Sequence, residues 1–144
     1  MFFKNILVPF DGSNISKKAF EKALAIASQF ETKLSVITII SSPFVVLSGI
    51  SLYRAKEIQN KEEREIIQTL NVLYNRAKNK EVKFSYKVVH DSSTTSGIMT
   101  FVKANNIDLI VIGSHGRTGI NKIILGSVAY SVVQHAKCTV MIVK

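Results

Sequence analysis

Short apolar runs alternate with amphipathic segments along the whole chain, and this alternation is the feature that most constrains the fold. Four runs rich in β-branched residues predict buried strands, and a fifth, more polar run predicts a strand near a sheet edge: 5–9, 33–40, 108–113, 137–143 and 80–90. Apolar periodicity of 3.6 residues predicts helices between them: 17–30, 53–79, 97–105 and 127–135. Strands that alternate with helices favour parallel pairing and right-handed crossovers. We therefore expect an α/β fold, a doubly wound open sheet of five parallel strands with helices on both faces.

The connections that follow the strands are the places to look for a site. In such sheets ligands bind outside the carboxyl ends of the strands, where the strand order reverses. The connections concerned are 9–13, 40–43, 90–96 and 113–127. Ser13 or Asn14 is expected to cap the first helix. Residues 91–96 are interpreted as a six-residue polar loop, and the apolar residues 44–52 as a mobile connection or short helix that covers a ligand or contacts another subunit.

Length and composition limit the class of protein. The chain has 144 residues, of which 47% are hydrophobic and 20% charged, as expected of one globular domain over 1–144. The single cysteine, Cys138, excludes an internal disulfide framework and is interpreted as a small hydrophobic residue of the last strand. No apolar run reaches the roughly 18 residues of a membrane span, and the N-terminus does not resemble a signal peptide. We therefore expect a cytoplasmic protein without a membrane partner.

The net charge of +9 raises the question of an anionic partner. The lysines are scattered, with no run longer than two, so the first interpretation is a solvated surface. A nucleic-acid-binding face is the minor alternative, and none of the usual nucleic-acid motifs is present. The three histidines, His90, His115 and His135, lie on different segments without metal-ligand spacing, so no protein metal site is expected.

Glycines are concentrated between the fourth predicted strand and the last helix. They are Gly113, Gly116, Gly119 and Gly126, with Ser127 directly after the last of them. Glycine allows positive φ and close approach of the backbone to a ligand, and amide groups at a helix start favour a phosphate. Arg117 and Lys122 add positive charge to the same segment. The spacing matches neither a Walker A loop nor Gly-x-Gly-x-x-Gly. A phosphate site is one interpretation; glycines for tight turns, with Ser127 only as a helix cap, are the other.

Three segments together resemble the universal stress protein family. The spacing Gly113-x2-Gly116-x9-Gly126-Ser127 is similar to the nucleotide-binding motif of the ATP-binding branch of that family. The opening segment Ile6-Leu-Val-Pro-Phe-Asp-Gly-Ser13 is similar to the first strand and loop of the family. The segment 125–143 is similar to its last helix and strand. The resemblance extends over essentially the whole chain and is weakest between about 41 and 96.

The resemblance implies a role for each candidate binding residue. Asp11 would accept hydrogen bonds from the ribose hydroxyls, Pro9 would line the base or ribose pocket, and Ile39 would contact the adenine. The ribose and phosphates would be wrapped by the loop Gly113, Ser114, His115, Gly116, Arg117, Thr118 and Gly119. Backbone amides, with the Ser127 hydroxyl, would reach the triphosphate from Gly126, Ser127, Val128 and Ala129. Magnesium or manganese would arrive with the phosphates, and no protein metal ligand is implied.

The resemblance also implies a Rossmann-like architecture of the adenine nucleotide alpha hydrolase-like type, with strand order 3-2-1-4-5. It implies a homodimer paired through the last strand, 138–143, and an apolar edge strand needs such a cover. Two positions depart from the family pattern. The segment His90–Gly97 lacks the usual Gly-x-Pro element after the third strand, and Phe10 brings a bulky ring that either packs outside the pocket or narrows it.

The function expected from these observations is ATP binding in a stress-response or regulatory role, exerted by binding rather than by turnover. No catalytic residue is assigned, because no carboxylate neighbour in the sequence orients His115 as a base. The alternatives are a slow ATPase, a nucleotide-free dimeric scaffold and, last, a nucleic-acid binder.

Overall fold

The computed structural model describes residues 2–41, 51–117 and 125–144. In these ranges five strands alternate with four helices: β1 (Asn5–Pro9), α1 (Asn14–Phe30), β2 (Lys33–Ile40), α2 (Leu52–Asn79), β3 (Phe84–His90), α3 (Thr94–Ala104), β4 (Leu109–Gly113), α4 (Ser127–His135) and β5 (Thr139–Val143). Thr118, Gly119 and Lys122, and the connection 44–52 except its last two residues, lie outside the described residues.

The strands form one parallel sheet in the order β3-β2-β1-β4-β5, which confirms the expected fold class and strand order. The chain first winds outwards from β1 to β3 and then crosses back to place β4 on the other side of β1. The order therefore reverses between β1 and β4. The carboxyl ends of these two strands flank the crevice in which such folds bind ligands.

Alternate residues of each strand feed two separate hydrophobic layers. Ile6 and Val8 of β1 pack in the layer beneath α1 and α2. Leu7 points the other way and packs with α3 and α4. All three are fully buried, because a central parallel strand is covered on both faces. Phe10 is 5% exposed; it packs in the first layer and also lines the cleft at the carboxyl end of β1, so its ring does not lie outside the pocket.

Serine side chains set where three of the helices begin. Ser13 caps α1 by accepting a hydrogen bond from the amide of Ser16 at 3.2 Å, as expected. Ser51 and Ser93 cap α2 and α3 in the same way. The cap at Ser93 starts α3 at Thr94, three residues before the predicted start. The predicted six-residue loop 91–96 is therefore wrong, since only 91–93 remain outside regular structure.

Three predicted strands are shorter than their apolar runs. β3 begins at Phe84 because Lys80 ends α2 and Glu81 adopts a left-handed conformation with φ of 57°. β4 begins at Leu109; Asp108, directly before it, donates its amide to the carbonyl of Asn5 and accepts the amides of Lys4 and Asn5 with its carboxylate. β5 begins at Thr139, so Cys138 precedes that strand and is only partly buried. In the described ranges no helix is both long and apolar enough to cross a bilayer.

Candidate functional site

A cleft opens at the point where the strand order reverses. Its volume is about 550 Å³, within the range of small-ligand pockets. The carboxyl ends of β1, β2 and β4 and the first turn of α4 form its walls. Eleven of the fourteen predicted site residues line it: Pro9, Asp11, Ile39, Gly113, His115, Gly116, Arg117, Gly126, Ser127, Val128 and Ala129. The sheet thus brings together residues that are more than 100 positions apart in the chain.

Asp11 contributes the carboxylate of the cleft. Its Oδ1 accepts a hydrogen bond from the amide of Ser13 at 3.0 Å, and its Oδ2 accepts one from the amide of Arg117 at 3.2 Å. Burial by itself would raise the pKa of Asp11, but hydrogen bonds from Ser13, Ser16 and Arg117 outweigh it and lower the pKa below its ordinary value. Asp11 is therefore an ionised acceptor at neutral pH, held in a fixed orientation.

Arg117 is tied to the same turn by its side chain. Its Nε donates to the carbonyl oxygen of Asp11 at 2.8 Å. The intervening Gly12 has φ of 81°, a left-handed conformation that favours glycine, and a Cβ there would lie 3.6 Å from the Arg117 guanidinium. Backbone and side chain of Arg117 together fasten the loop after β4 onto the loop after β1.

The motif glycines serve close approach rather than positive φ. Of the described glycines only Gly12 has a positive φ, so the expectation of left-handed glycines after β4 is wrong for Gly113, Gly116 and Gly126. A Cβ on Gly113 would lie 2.8 Å from Ile15 Cγ2, and one on Gly116 would lie 2.8 Å from Asp11 Oδ2. A Cβ on Gly126 would lie 3.2 Å from the Cα of His115. A side chain at Gly113 would therefore crowd the core, and side chains at Gly116 or Gly126 would displace residues that line the cleft.

The first turn of α4 lines the cleft, and its first backbone amides have no acceptor among the described residues. Gly126 is the N-cap without a side-chain cap, so Ser127 is the first helical residue and the interpretation of Ser127 as a helix cap is wrong. The amide of Gly126 already donates to the carbonyl of Ser114 at 2.6 Å. The amides of Ser127, Val128 and Ala129 have no acceptor within the helix. Together with the helix dipole they can bind an anion in the same cleft that Asp11 lines.

Ser114 is the one described candidate that does not line the cleft. It is 4% exposed, its amide donates to the carbonyl of Val143, and its hydroxyl lies 3.0 Å from His115 Nδ1. The Ser114 hydroxyl thus orients the imidazole of His115, which is one of the residues that line the cleft. No sequence pattern predicts this contact, because it depends on the local turn after β4.

Several residues that line the cleft were missed by sequence reasoning. Ile37 lies two residues before Ile39 on the same face of β2, and Ile98 packs beside it from α3. Because alternate residues of a strand share a face, the prediction of Ile39 as a binding residue could have been extended to Ile37. Thr94 enters from the start of α3, in the region where the family pattern is altered, and Gly97 packs against Ile39. The altered segment therefore contributes Thr94 to the lining of the cleft without the usual Gly-x-Pro element.

Fold and site together define a doubly wound α/β protein with a carboxylate and an anion-binding helix terminus in one cleft. The family model of the universal stress protein family matches residues 2–144. The universal stress protein MJ0531 of Methanocaldococcus jannaschii is 33% identical over 143 residues, covering 99% of this chain and 82% of that one. The universal stress protein YxiE of Bacillus subtilis is 29% identical over 148 residues, covering 99% of both. The chain therefore belongs to the universal stress protein family.

Solved structures share the fold at lower sequence identity. UspA from Lactobacillus plantarum superposes with a TM-score of 0.89 at 22% identity, over 100% of this chain and 99% of that one. A family protein from Arabidopsis thaliana with AMP bound has a TM-score of 0.70 at 20% identity, over 98% and 91%. One from Archaeoglobus fulgidus in complex with dAMP has a TM-score of 0.69 at 19% identity, over 100% of both.

Proposed function

We propose that this chain binds ATP in the cleft at the end of β1 and β4, and that it acts as a nucleotide-dependent stress-response or regulatory protein. The observation that carries the proposal is the pairing of opposite ends in one cleft: the ionised Asp11 carboxylate and the free amides of α4. A carboxylate accepts hydrogen bonds from ribose hydroxyls, and helix amides bind phosphate. Structures of family proteins that hold AMP and dAMP support the adenine class of ligand.

The proposed pose follows from the walls of the cleft. The adenine would lie against Pro9 and the apolar face of β2, which carries Ile37 and Ile39. The ribose would lie at Asp11. The phosphates would extend past Gly113 and Gly116 to the amides of Ser127, Val128 and Ala129, while Gly126 supports the turn. Thr118 and Gly119 complete the proposed set. Magnesium or manganese would be held by phosphate oxygens, because Asp11 is the one carboxylate among the described residues that line the cleft.

Binding rather than rapid turnover is the proposed mode of action. The Asp11 carboxylate already accepts two backbone hydrogen bonds, and its lowered pKa makes it a weak base. A slow ATPase is the second candidate, and the orientation of the His115 ring by Ser114 is the observation that favours it. A single-turnover assay with labelled ATP on the wild type and on His115→Ala distinguishes the two. Hydrolysis that disappears with His115 would favour the ATPase.

A homodimer paired through the outer edge of β5, residues 138–143, is the proposed assembly. Among the described residues β5 pairs with β4 alone, and its Met141 side chain is 37% exposed. Val133 and Tyr130 of the neighbouring α4 are 46% and 54% exposed. An apolar edge of this kind is a hazard unless it is covered.

Mass spectrometry of the small molecules released from purified, denatured protein, followed by calorimetric titration with ATP, tests the proposed function. Bound adenine nucleotide, or heat of binding that is lost in Gly126→Val, supports it. Lys18→Ala, on the exposed face of α1, is the control and should bind as the wild type does. Protein that releases no nucleotide and gives no heat would leave the nucleotide-free scaffold as the better account.

A further inference from the structure

The edge strand β3 has one face without a helix. The register pairs Ser85 with Ser35 and Lys87 with Ile37, and Ile37 packs in the layer of α3 and α4. Ser85 and Lys87 therefore point to that side of the sheet. Lys83, Ser85 and Lys87 are all exposed, so neither α3 nor α4 covers them. We call this surface, formed by residues 83, 85 and 87, the open face of β3.

The open face of β3 carries positive charge only. The elements that build this part of the sheet, β2, β3 and α3, contain no aspartate or glutamate. The two ion pairs formed among the described residues involve Arg76 and His90, so Lys83 and Lys87 have no carboxylate partner there. Lys33 extends the charge onto β2, since the amide of its neighbour Leu34 donates to the carbonyl oxygen of Lys83 at 2.9 Å.

Among the described strands β3 pairs with β2 alone, so its outer edge offers backbone groups without a strand partner beside these lysines. The carbonyl of Lys83 and the amide of Asp91 both form hydrogen bonds with β2. The odd-numbered residues of β3 therefore point their backbone N–H and C=O groups towards β2. In a parallel ladder the intervening residues then point their N–H and C=O groups outwards. These residues are Phe84, Tyr86 and Val88. Their side chains pack towards α2, where the Tyr86 hydroxyl donates to Asn71 at 2.6 Å.

We propose that the outer edge of β3 is a docking site for an extended acidic segment of a protein partner, which adds to the sheet as a sixth strand. Such a segment would exchange backbone hydrogen bonds with Phe84, Tyr86 and Val88. Acidic side chains four residues apart in it would lie alongside Lys83 and Lys87, which are separated by about 13 Å at 3.3 Å per residue. Its intervening side chains would be apolar, beside Phe84 and the half-exposed Tyr74 of α2.

The same lysines exclude a second copy of this strand. Antiparallel pairing of two β3 strands about Ser85 would set Lys83 of one chain opposite Lys87 of the other, and like charges across a strand pair are destabilising. Lysines on an edge strand commonly prevent such self-pairing. The positive charge of the open face of β3 therefore favours an acidic partner over a second copy of this strand. The proposed docking site does not depend on nucleotide binding in the cleft.

Fluorescence anisotropy with the labelled peptide Glu-Val-Thr-Val-Glu-Val-Thr tests the proposal on the full chain. We expect saturable binding that falls about tenfold in the double variant Lys83→Glu, Lys87→Glu, because two attractive cross-strand pairs become repulsive. The same variant should gain binding of the peptide in which lysines replace the glutamates. The matched control Lys18→Glu, Lys22→Glu changes the same charge on α1 and should leave the acidic peptide's affinity unchanged.

Amide hydrogen exchange, measured by NMR, distinguishes strand addition from general charge attraction, because charge attraction alone would not slow exchange at the backbone amides of β3. Bound peptide should slow exchange at Phe84, Tyr86 and Val88. The proposal is overturned if the acidic peptide does not bind, if the α1 control loses binding equally, or if these three amides stay unprotected. Short single-stranded oligodeoxythymidine that binds through Lys83 and Lys87 while the acidic peptide does not would assign the surface to nucleic acid instead.

Discussion

Gly116 lies so close to Asp11 that a Cβ on the glycine would stand 2.8 Å from the carboxylate Oδ2. The same oxygen accepts the amide of the next residue, Arg117, at 3.2 Å. Because Gly116 has no side chain, the backbone of the loop after β4 can approach the carboxylate that follows β1. This contact joins the two sides of the cleft.

Gly116→Ala is expected to weaken ATP binding by roughly ten- to a hundredfold, because Asp11 must turn away and a charge-assisted hydrogen bond to the ribose is lost. Gly116 is exposed, so the melting temperature should fall no further than it does when the Asp11 carboxylate is removed in Asp11→Asn. Calorimetric titration and thermal unfolding measure the two effects. Ser96→Ala, exposed on α3, is the control. Wild-type affinity in Gly116→Ala would argue against Asp11 as the ribose acceptor.

Gly113→Ala should act on stability, since a Cβ there would lie 2.8 Å from Ile15 Cγ2 and 3.3 Å from the Ile15 carbonyl carbon. Crowding of this kind costs about 1–3 kcal/mol of unfolding free energy. The variant Ile15→Ala removes the two nearest obstructing carbons, Cγ2 and Cγ1, so the double variant should lose less than the sum of the single losses. Urea unfolding of all four proteins measures this. Additive losses would show that Ile15 is not the obstacle.

Asp11→Asn should reduce stability in a pH-dependent way. The hydrogen bonds from Ser13, Ser16 and Arg117 lower the pKa of the folded carboxyl despite its burial, from an ordinary value of 3.8. A lowered pKa means that the ionised group stabilises the fold above that ordinary value, and that this contribution disappears as the pH falls through the folded pKa. The difference in unfolding free energy between wild type and variant should be constant from pH 8 to 5 and shrink below about 4.

Urea unfolding across this pH range checks the prediction. His115→Ala, which leaves the carboxyl in place, should show no such convergence with the wild type near pH 4. A gap between wild type and Asp11→Asn that widens on acidification would mean that the folded pKa is raised rather than lowered.

Met141→Asp should convert the proposed dimer into a monomer, because it buries a charge at the outer face of β5. Light scattering after size-exclusion chromatography measures the mass. Val72→Asp is the matched control, since Val72 is 59% exposed on α2, away from β5. A wild type that is monomeric, or a dimer that survives Met141→Asp, would refute pairing through this strand.

Much of the fold was readable because it depends on local patterns. β1, β2 and α4 have the bounds that their apolar runs predict, and Ser13 caps α1 as its position indicated. Errors occur at ends where a side chain overrides the pattern. Ser93 starts α3 early, and β4 begins one residue after Asp108, whose carboxylate accepts hydrogen bonds from the amides of Lys4 and Asn5.

The sequence by itself determined the alternation of strands and helices and the spacing of the glycines, since hydrophobic periodicity and turn residues act over a few neighbouring positions. Only the tertiary structure decided what the glycines touch. Asp11 and Arg117 meet across 106 positions because the strand order places β4 beside β1. The open face of β3 likewise exists only because α3 packs on β2 and leaves Lys83 and Lys87 uncovered. No local pattern encodes such contacts, because they depend on which strands become neighbours.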